Sequence, residues 1–320
     1  MIKSQILTII IPVFNDWESF ILLLQRIDAV MANKNLQVQI LAVNDGSFTD
    51  FNADEDLRHI SRIQKINLIR NIGHQRAIAV GLSYCWKEGI SDYVIVMDAD
   101  GEDKPEDIAL LIDSSIKNPN HIIFAQRVKR SENFLFKLGY NVYKTVYRIL
   151  TGVSISFGNF CLIPKKLLES VVHHSEIWNH FSAGINRSMI PFSIVPTQRG
   201  NRYAGDSKMN LASLILHGLS AISVRTDVVA ARLLIFTLCL MALGLCGLVT
   251  VVGVKFLTDL AIPGWAIYVA IGLSTIIIQA FIMSLILVFL VLQYRTQVMF
   301  IPALNFESFI KSIEIVFERR

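Results

Sequence analysis

Short apolar runs and helical periods alternate along the first 125 residues of the chain. The apolar runs predict buried strands, which lie at residues 5–12, 38–43, 65–69, 93–97 and 121–125. Between them, apolar residues recur with helical spacing at 18–31, 75–87 and 105–117, the last with a proline at its start. Strands and helices in alternation predict an α/β fold with a doubly wound sheet. Such sheets bind ligands just beyond the carboxyl ends of their strands.

The pattern changes in the last third of the chain. From Leu233 to Tyr294 the only charged side chains are Lys255 and Asp259. Two apolar segments in this part, 228–257 and 263–292, each exceed the ~20 residues that a helix needs to cross a bilayer. They predict a hairpin of two membrane-spanning helices joined by a short loop.

Arginine residues flank the outer ends of this hairpin. Arg225 and Arg232 lie at the start of the first span, and Arg295 follows the second. By the positive-inside rule both ends face the cytoplasm. We therefore expect an integral membrane protein whose N-terminal domain is cytoplasmic, at the inner membrane if the source is bacterial.

Four parts follow from these patterns: a soluble domain at 1–206, a helix at 207–227, the hairpin at 228–295 and a tail at 296–320. The helix carries apolar side chains on one face and polar side chains on another, which is typical of a helix lying in the membrane interface. An ordinary helix packed on the soluble domain is the alternative. The tail is predicted to form a short cytoplasmic helix, because five apolar residues share one helical stripe: Phe306, Phe309, Ile310, Ile313 and Phe317.

Composition narrows the class of protein. Hydrophobic residues make up 53% of the 320 residues and charged residues only 18%, against ~25% in a typical soluble domain. This balance excludes a disordered chain. The net charge of +4 is mild, and no nucleic-acid-binding motif is found, so we expect no nucleic-acid partner.

An acidic segment, Asp98-Ala-Asp-Gly-Glu-Asp103, directly follows the predicted strand at 93–97. Carboxylates this close repel one another, so a bound cation is the natural reason to gather them. Oxygen ligands suit Mg²⁺ or Mn²⁺, and such an ion can neutralise a diphosphate leaving group. We predict that Asp98, Asp100 and Glu102 hold the metal. A solvated acidic turn that caps the next helix is the alternative.

Three further polar motifs lie at strand ends or helix starts: Pro12-Val-Phe-Asn-Asp16, Asn44-Asp-Gly-Ser47 and Asn71-Ile-Gly-His-Gln-Arg-Ala77. Each alone is typical of an ordinary turn or helix cap. Glycine in such motifs permits positive φ angles or a close approach of two backbones.

In this order, the four motifs resemble those of family 2 glycosyltransferases with a GT-A fold. With two C-terminal membrane helices, the chain most resembles the polyprenyl-phosphate glycosyltransferases, of the bactoprenol glucosyltransferase and dolichyl-phosphate mannose synthase type. The resemblance covers about residues 5 to 295. It implies inverting transfer of a sugar from a nucleotide diphosphate sugar to a polyprenyl phosphate, undecaprenyl phosphate in a bacterium, with Mg²⁺ or Mn²⁺. It also suggests a homo-oligomer built through the membrane hairpin.

The resemblance also assigns roles to residues. The donor-binding set is Pro12, Phe14, Asp16, Asn44, Asp45, Gly46, Asn71, Gly73, Asp98 and Ala99. The catalytic set is Asp98, Asp100 and Arg127, and the set for the acceptor and its phosphate is Arg127, Arg202, Ser207 and Lys208. Arginine suits phosphate through its bidentate fork, and lysine acts as a point charge.

Two positions depart from the family pattern. Asn44 replaces the first Asp of D-D-G-S, and Gly158-Asn-Phe-Cys161 replaces G-D-F-R, so that Asn159 stands where a carboxylate is usual. A sugar hydroxyl acceptor would need a general base. A phosphate monoester has a second pKa of about 6 and is already largely dianionic at pH 7. The loss at Asn159 therefore favours a lipid phosphate as the acceptor.

Two alternatives remain. The acceptor can be a different lipid or a polysaccharide, or the chain can be a catalytically silent membrane scaffold or flippase partner. Metal-dependent binding of a nucleotide sugar separates these, because a scaffold has no reason to keep it.

Overall fold

The computed structural model describes residues 5–32, 34, 36–51, 57–127, 134–154, 157–204, 211–258 and 264–319. The chain forms two compact units. The sheet unit comprises Met1–Tyr140, Ile155–Val224 and Met299–Arg320, and the hairpin unit comprises Asn141–Ser154 and Arg225–Val298.

The strands of the sheet unit are β1 (Gln5–Val13), β2 (Leu36–Asn44), β3 (Ile60–Leu68), β4 (Tyr93–Val96), β5 (Ile122–Arg127), β6 (Cys161–Pro164), β7 (Phe192–Thr197) and β8 (Ile310–Glu318). They form one sheet in the order β7-β5-β6-β4-β1-β2-β3-β8. Strand β6 runs antiparallel to β4 and β5, and β8 runs antiparallel to β3, whereas the other pairs are parallel. The helices of the chain are α1 (Trp17–Met31), α2 (His74–Glu88), α3 (Ile108–Lys117), α4 (Phe134–Thr151), α5 (Lys165–Val172), α6 (Phe181–Ser188), α7 (Leu211–Ser223), α8 (Thr226–Leu257) and α9 (Trp265–Thr296), with a short helix at Pro302–Asn305.

Both faces of the sheet are buried, as the continuous apolar runs predict. Alternate residues of β1 enter two different cores: Ile10 packs with helix α2, while Ile9 and Ile11 pack with helix α1. Helix α2 comes very close to the sheet at Gly81, where an added Cβ would lie 2.6 Å from Ile10 Cγ2. The predicted α/β class is confirmed, and the polar motifs lie at the carboxyl ends of β1, β2 and β4.

The helix predicted in the tail is wrong. Residues Ile310–Glu318 form strand β8, whose Glu314 pairs with Lys65 and whose Phe317 pairs with Ile63 of β3. The apparent helical stripe divides between two cores, since Phe309 packs on one face of the sheet and Phe317 on the other. The open edge of β3 explains this outcome, because its backbone groups need partners and a segment rich in β-branched residues can supply them.

The hairpin unit contains two helices, α8 and α9, that are long and apolar enough to span a membrane, with mean hydropathies of 2.5 and 2.8. The predicted two-helix hairpin is confirmed. Small residues line the seam between the helices, which allows close packing. A Cβ added at Gly244 would lie 2.8 Å from Ile277 Cγ1, and Thr237 Oγ1 lies 2.8 Å from Ser284 Oγ in a buried hydrogen bond.

Candidate active site

The acidic segment begins where strand β4 ends, and each of its carboxylates faces a cationic side chain. His74 Nε2 lies 3.1 Å from Asp98 Oδ1. The same imidazole nitrogen lies 3.2 Å from Asn159 Nδ2. Burial raises the pKa of Asp98, but the charges of His74 and Arg127 outweigh this effect and the net shift is downward. The His74 imidazole therefore lies between the Asp98 carboxylate and Asn159, the position where the family pattern has a carboxylate.

Arg127 binds the far end of the segment. Its Nη2 lies 2.9 Å from Asp103 Oδ1 and its Nη1 lies 3.1 Å from Glu102 Oε2. Arg199 Nη2 contacts the other oxygen of Glu102 at 2.5 Å. Burial, together with the charge of Asp98, raises the pKa of Asp103 to about 7. Both oxygens of Glu102 are thus held by arginines.

Asp100 is held more loosely than Glu102. Arg202 Nη2 lies 3.4 Å from Asp100 Oδ2 and 3.7 Å from Asp16 Oδ2, and Arg202 Nε is buried without a hydrogen-bond partner. Burial and the nearby charge of Asp98 raise the pKa of Asp100. A carboxylate that carries this repulsion and whose ion pair is as long as 3.4 Å is ready to bind a cation.

A glycine turn brings a second loop against the acidic segment. Gly101 has φ 82°, and a Cβ there would lie 2.5 Å from the ring of Tyr203. The Tyr203 amide donates to Asp100 O at 3.0 Å, which fixes the neighbouring Arg202 beside the turn. A cavity of about 800 Å³ opens here, lined in part by Gly101, Lys104 and Arg202. Its volume is in the range of small-molecule sites.

The described residues contain no ready-made group of three or more acidic, histidine or cysteine ligands around a metal position. Two of the three predicted ligands nevertheless fit. Asp98 Oδ1 is buried without a well-aligned hydrogen bond, and Asp100 is only loosely paired. Mg²⁺ is commonly held by one or two carboxylates together with substrate phosphates. Glu102 is the poorer candidate, because its oxygens are already bound by Arg127 and Arg199.

Asp45, in the turn after β2, is bound to backbone rather than to side chains. Its Oδ1 accepts a hydrogen bond from Ile72 N at 2.7 Å and its Oδ2 accepts one from Gly73 N at 3.0 Å. The side chain is buried, and burial raises its pKa against the effect of these two bonds. Gly46 is required beside it, because it has φ 74° and a Cβ there would lie 2.6 Å from Asn71 N.

Asn44 is also fully engaged in the turn. Its Oδ1 accepts from Ser47 N at 2.9 Å, and its Nδ2 donates to Asn67 Oδ1 at 2.8 Å. Asn15 binds the same turn from the other side. Its side-chain Oδ1 accepts from Phe48 N, and its backbone N–H donates to Ser47 Oγ, both at 2.9 Å. The turn is therefore a rigid piece of the site.

The remaining predicted residues fall around these two turns. Pro12 and Ala99 are buried, while Phe14 is 39% exposed and faces Phe48, which is 90% exposed, with ring centroids 6.4 Å apart. Asp16 accepts from Ser19 Oγ at 2.8 Å, and Gly73, with φ 94°, precedes helix α2. Asn71 is exposed. Ser207 and Lys208 lie outside the described residues.

A pair of histidines near the site was missed by the sequence reasoning. The rings of His180 and His217 are 4.6 Å apart, and His180 Nδ1 accepts from Ala183 N at the start of helix α6. Burial, with the neighbouring imidazoles, lowers the pKa of His180 to about 3 and also lowers the pKa of His217. No local spacing signals this pair, because His217 comes from helix α7, far along the chain.

Comparison with known proteins gives a consistent set of relatives. The family model described as Glycosyl transferase family 2 matches residues 8–171. The uncharacterized glycosyltransferase YkcC of Bacillus subtilis is 28% identical over 294 residues, 88% of this chain and 85% of the relative. A second one from that organism, YkoT, is 30% identical over 70% of each chain.

Several relatives are named for a specific transferase activity. The undecaprenyl-phosphate 4-deoxy-4-formamido-L-arabinose transferase of Edwardsiella ictaluri is 27% identical over 66% of this chain and 65% of its own length. Among solved structures, mannosyl-3-phosphoglycerate synthase from Rubrobacter xylanophilus matches 69% of this chain and 72% of its own, with 15% identity and a TM-score of 0.48.

Proposed function

Because the chain belongs to glycosyl transferase family 2, we propose that it transfers a sugar from a nucleotide diphosphate sugar to a polyprenyl phosphate, with undecaprenyl phosphate as the acceptor. The observation that carries the proposal is the acidic segment Asp98–Asp103. Its carboxylates are paired with histidine and arginine side chains, which a bound diphosphate can attract in their place. The Edwardsiella relative, named as an undecaprenyl-phosphate transferase, supports the acceptor class. Two candidate membrane spans in the same chain supply a route to a lipid substrate.

The donor would bind with its diphosphate beside Asp98, Asp100 and Arg202. A divalent cation bound by the two carboxylates would supply charge that stabilises the departing diphosphate. Arg202 is the residue best placed to bind phosphate, because it only loosely contacts Asp16 and Asp100 and its Nε is buried without a partner. Arg127 would act indirectly, since its guanidinium holds Glu102 and Asp103 in place.

The acceptor would need positioning more than deprotonation. A lipid phosphate is largely dianionic at pH 7 and can attack the anomeric carbon itself, with inversion. Asn159 Nδ2, 3.2 Å from His74 Nε2, offers an N–H donor at the position where a hydroxyl acceptor would require a carboxylate. In this proposal the sheet unit lies on the cytoplasmic side of the membrane, as the arginine residues at the ends of the hairpin predict.

The test uses purified protein in detergent with Mg²⁺ or Mn²⁺, undecaprenyl phosphate and a panel of radiolabelled nucleotide sugars. We expect label to move into the organic phase, to be labile to mild acid and to be lost with EDTA. Metal-dependent donor binding without transfer to the lipid would point to another acceptor. Absence of donor binding across the panel would support the scaffold alternative and overturn the proposal.

A further inference from the structure

The last strand of the chain reaches the turn that follows β2. Glu314 lies on β8, after the hairpin unit in sequence, and both of its carboxylate oxygens are used. Oε1 accepts from Asn67 Nδ2 at 2.6 Å, and Oε2 lies 2.9 Å from Lys65 Nζ. Lys65 is only 3% exposed in its side chain and also binds Asp50 at 2.7 Å. Glu314 is therefore linked to Asn44 through Asn67, and to Asp50 through Lys65. Asn44 and Asp50 are the first and last residues of the turn.

The connection to Asn44 has a direction. A carboxylate only accepts hydrogen bonds, so Glu314 and Ser312 hold the Asn67 amide with its Nδ2 toward β8. Asn67 Oδ1 must then face Asn44, which has to present a donor there, its Nδ2. The Oδ1 of Asn44 is consequently left to accept from Ser47 N. Two successive amides are thus oriented by one charge on β8.

The orientation of these two amides explains why residue 44 is Asn rather than the Asp of the family pattern. An aspartate at position 44 would set a carboxylate against Asn67 Oδ1, with two acceptors facing each other and no proton between them. Asn67 cannot turn over to relieve this, because its Oδ1 would then face the Glu314 carboxylate. Asn44 and Glu314 are therefore a matched pair in this chain.

We propose that Glu314 is a positioning residue for the nucleotide of the donor, acting through Asn67 on the turn Asn44–Asp50. This inference rests on the proposed function, because it takes that turn as part of the nucleotide site. Lys65 supports the same turn from its other end, since it binds both Glu314 and Asp50. Glu314 touches no substrate in this role; it determines which hydrogen-bonding groups the turn can present.

The test is a double-mutant cycle with Asn44→Asp and Glu314→Gln. Binding of UDP, GDP, CDP and ADP, with Mn²⁺, is measured by calorimetry, and the tightest ligand of the wild type is followed through the variants. Asn44→Asp alone should weaken binding about tenfold, the size of one hydrogen bond. With Glu314→Gln added, Asn67 can turn over, donate to the new carboxylate at position 44 and accept from the new amide at position 314. Binding should then return to within about threefold of the wild type.

Glu318→Gln is the matched control, since it removes a carboxylate from the same strand at its other end, 3.7 Å from Arg62. It should not rescue Asn44→Asp. Thermal unfolding is followed in parallel, and the KM for undecaprenyl phosphate should stay unchanged in every variant. Equal effects of Asn44→Asp in both backgrounds would overturn the inference while leaving the proposed function intact. If the wild type binds none of the four nucleotides, the proposed function fails and this inference fails with it.

Discussion

The turns that follow β2 and β4 carry similar polar sequences but use their side chains in opposite ways. After β4, the carboxylates of Asp98, Asp100 and Glu102 contact the charged side chains of histidine and arginine residues. After β2, Asn44 and Asp45 hydrogen-bond to backbone amides and to a neutral amide side chain. Contacts between charged side chains can be exchanged for a ligand, whereas bonds that close a backbone loop cannot be given up without moving the loop.

This difference separates residues that take part in the reaction from residues that hold the backbone of the site in place. The β4 turn contains groups whose partners a metal or a diphosphate can replace, so substitutions there should change activity more than stability. The β2 turn is part of the framework, so substitutions there should change stability and affect activity only through position. Motif spacing alone places both turns in the site and cannot separate these roles.

The largest expected effect is on catalysis at Asp100. Asp100→Asn keeps an oxygen that can accept from Glu102 N, but it removes the charge that would hold the cation. We expect transfer to fall by about 10²–10³-fold, the scale of losing one electrostatic contact to a developing charge. The unfolding temperature should stay equal or rise, because repulsion with Asp98 is relieved. Radiolabel transfer and thermal unfolding check this, with the exposed Asp113→Asn as the control. A fall in stability with activity retained would contradict the comparison.

Substitutions in the β2 turn should lower stability more than they lower activity. Asp45→Asn can keep one of the two backbone bonds, but its amide NH₂ must then face an N–H of Ile72 or Gly73. A buried unsatisfied donor costs about 1–3 kcal/mol. We expect an unfolding temperature several degrees lower, and a loss of activity that cooling partly restores. An Asp45→Asn protein of normal stability that lacks donor binding would mean that Asp45 contacts the nucleotide directly.

Local features were predictable from the sequence, and long-range contacts were not. The runs before Asn44 and Asp98 identified buried strands and placed both turns at one edge of the sheet, because strand pattern and strand-end chemistry are local. Strand β8 was missed, since its partner β3 lies more than 200 positions earlier and the spacing of the apolar residues between Phe306 and Phe317 imitates a helix. The support of the turn by Glu314 was invisible for the same reason.

Charge pairs such as His74 with Asp98 depend on how two loops approach, which composition does not reveal. His74 was singled out only as part of a motif, and its contact with Asn159 joins residues 85 positions apart. The division of roles between Asp45 and Asp100 could not be predicted either, because both are acidic residues that follow a buried strand. What differs is the partner of each oxygen, and that is set by the folded chain.

The framework extends beyond the β2 turn to helix α6, and acid should weaken it there. Gln75 Oε1 accepts from Phe181 N, and His180 Nδ1 accepts from Ala183 N. The pKa of His180 is about 3 in the folded protein, because of burial first, against its usual 6.5. Between these values the unfolded chain binds the extra proton, so stability falls as pH drops below 6.5.

We expect this loss to approach ~1.4 kcal/mol per pH unit from one histidine. His180→Asn keeps a cap for helix α6 without a titrating group, so its stability should fall less steeply. Urea unfolding at pH 7, 6 and 5 checks this, with the exposed His59→Asn as the control. Identical slopes for wild type and His180→Asn would show that acid acts elsewhere.

The smallest expected effect tests whether the acceptor side of the β4 turn is suited to phosphate. Asn159→Asp adds a carboxylate beside His74 Nε2, where it competes with Asp98 for the imidazole and repels an approaching phosphate dianion. We expect kcat/KM for undecaprenyl phosphate to fall about tenfold, with donor binding and the unfolding temperature unchanged. The exposed Asn179→Asp, which adds the same charge elsewhere, should have no effect. If Asn159→Asp instead raised transfer to a sugar hydroxyl strongly and left the lipid phosphate reaction as it was, the absent carboxylate would be a lost general base, and the acceptor would have to be sought among hydroxyl compounds.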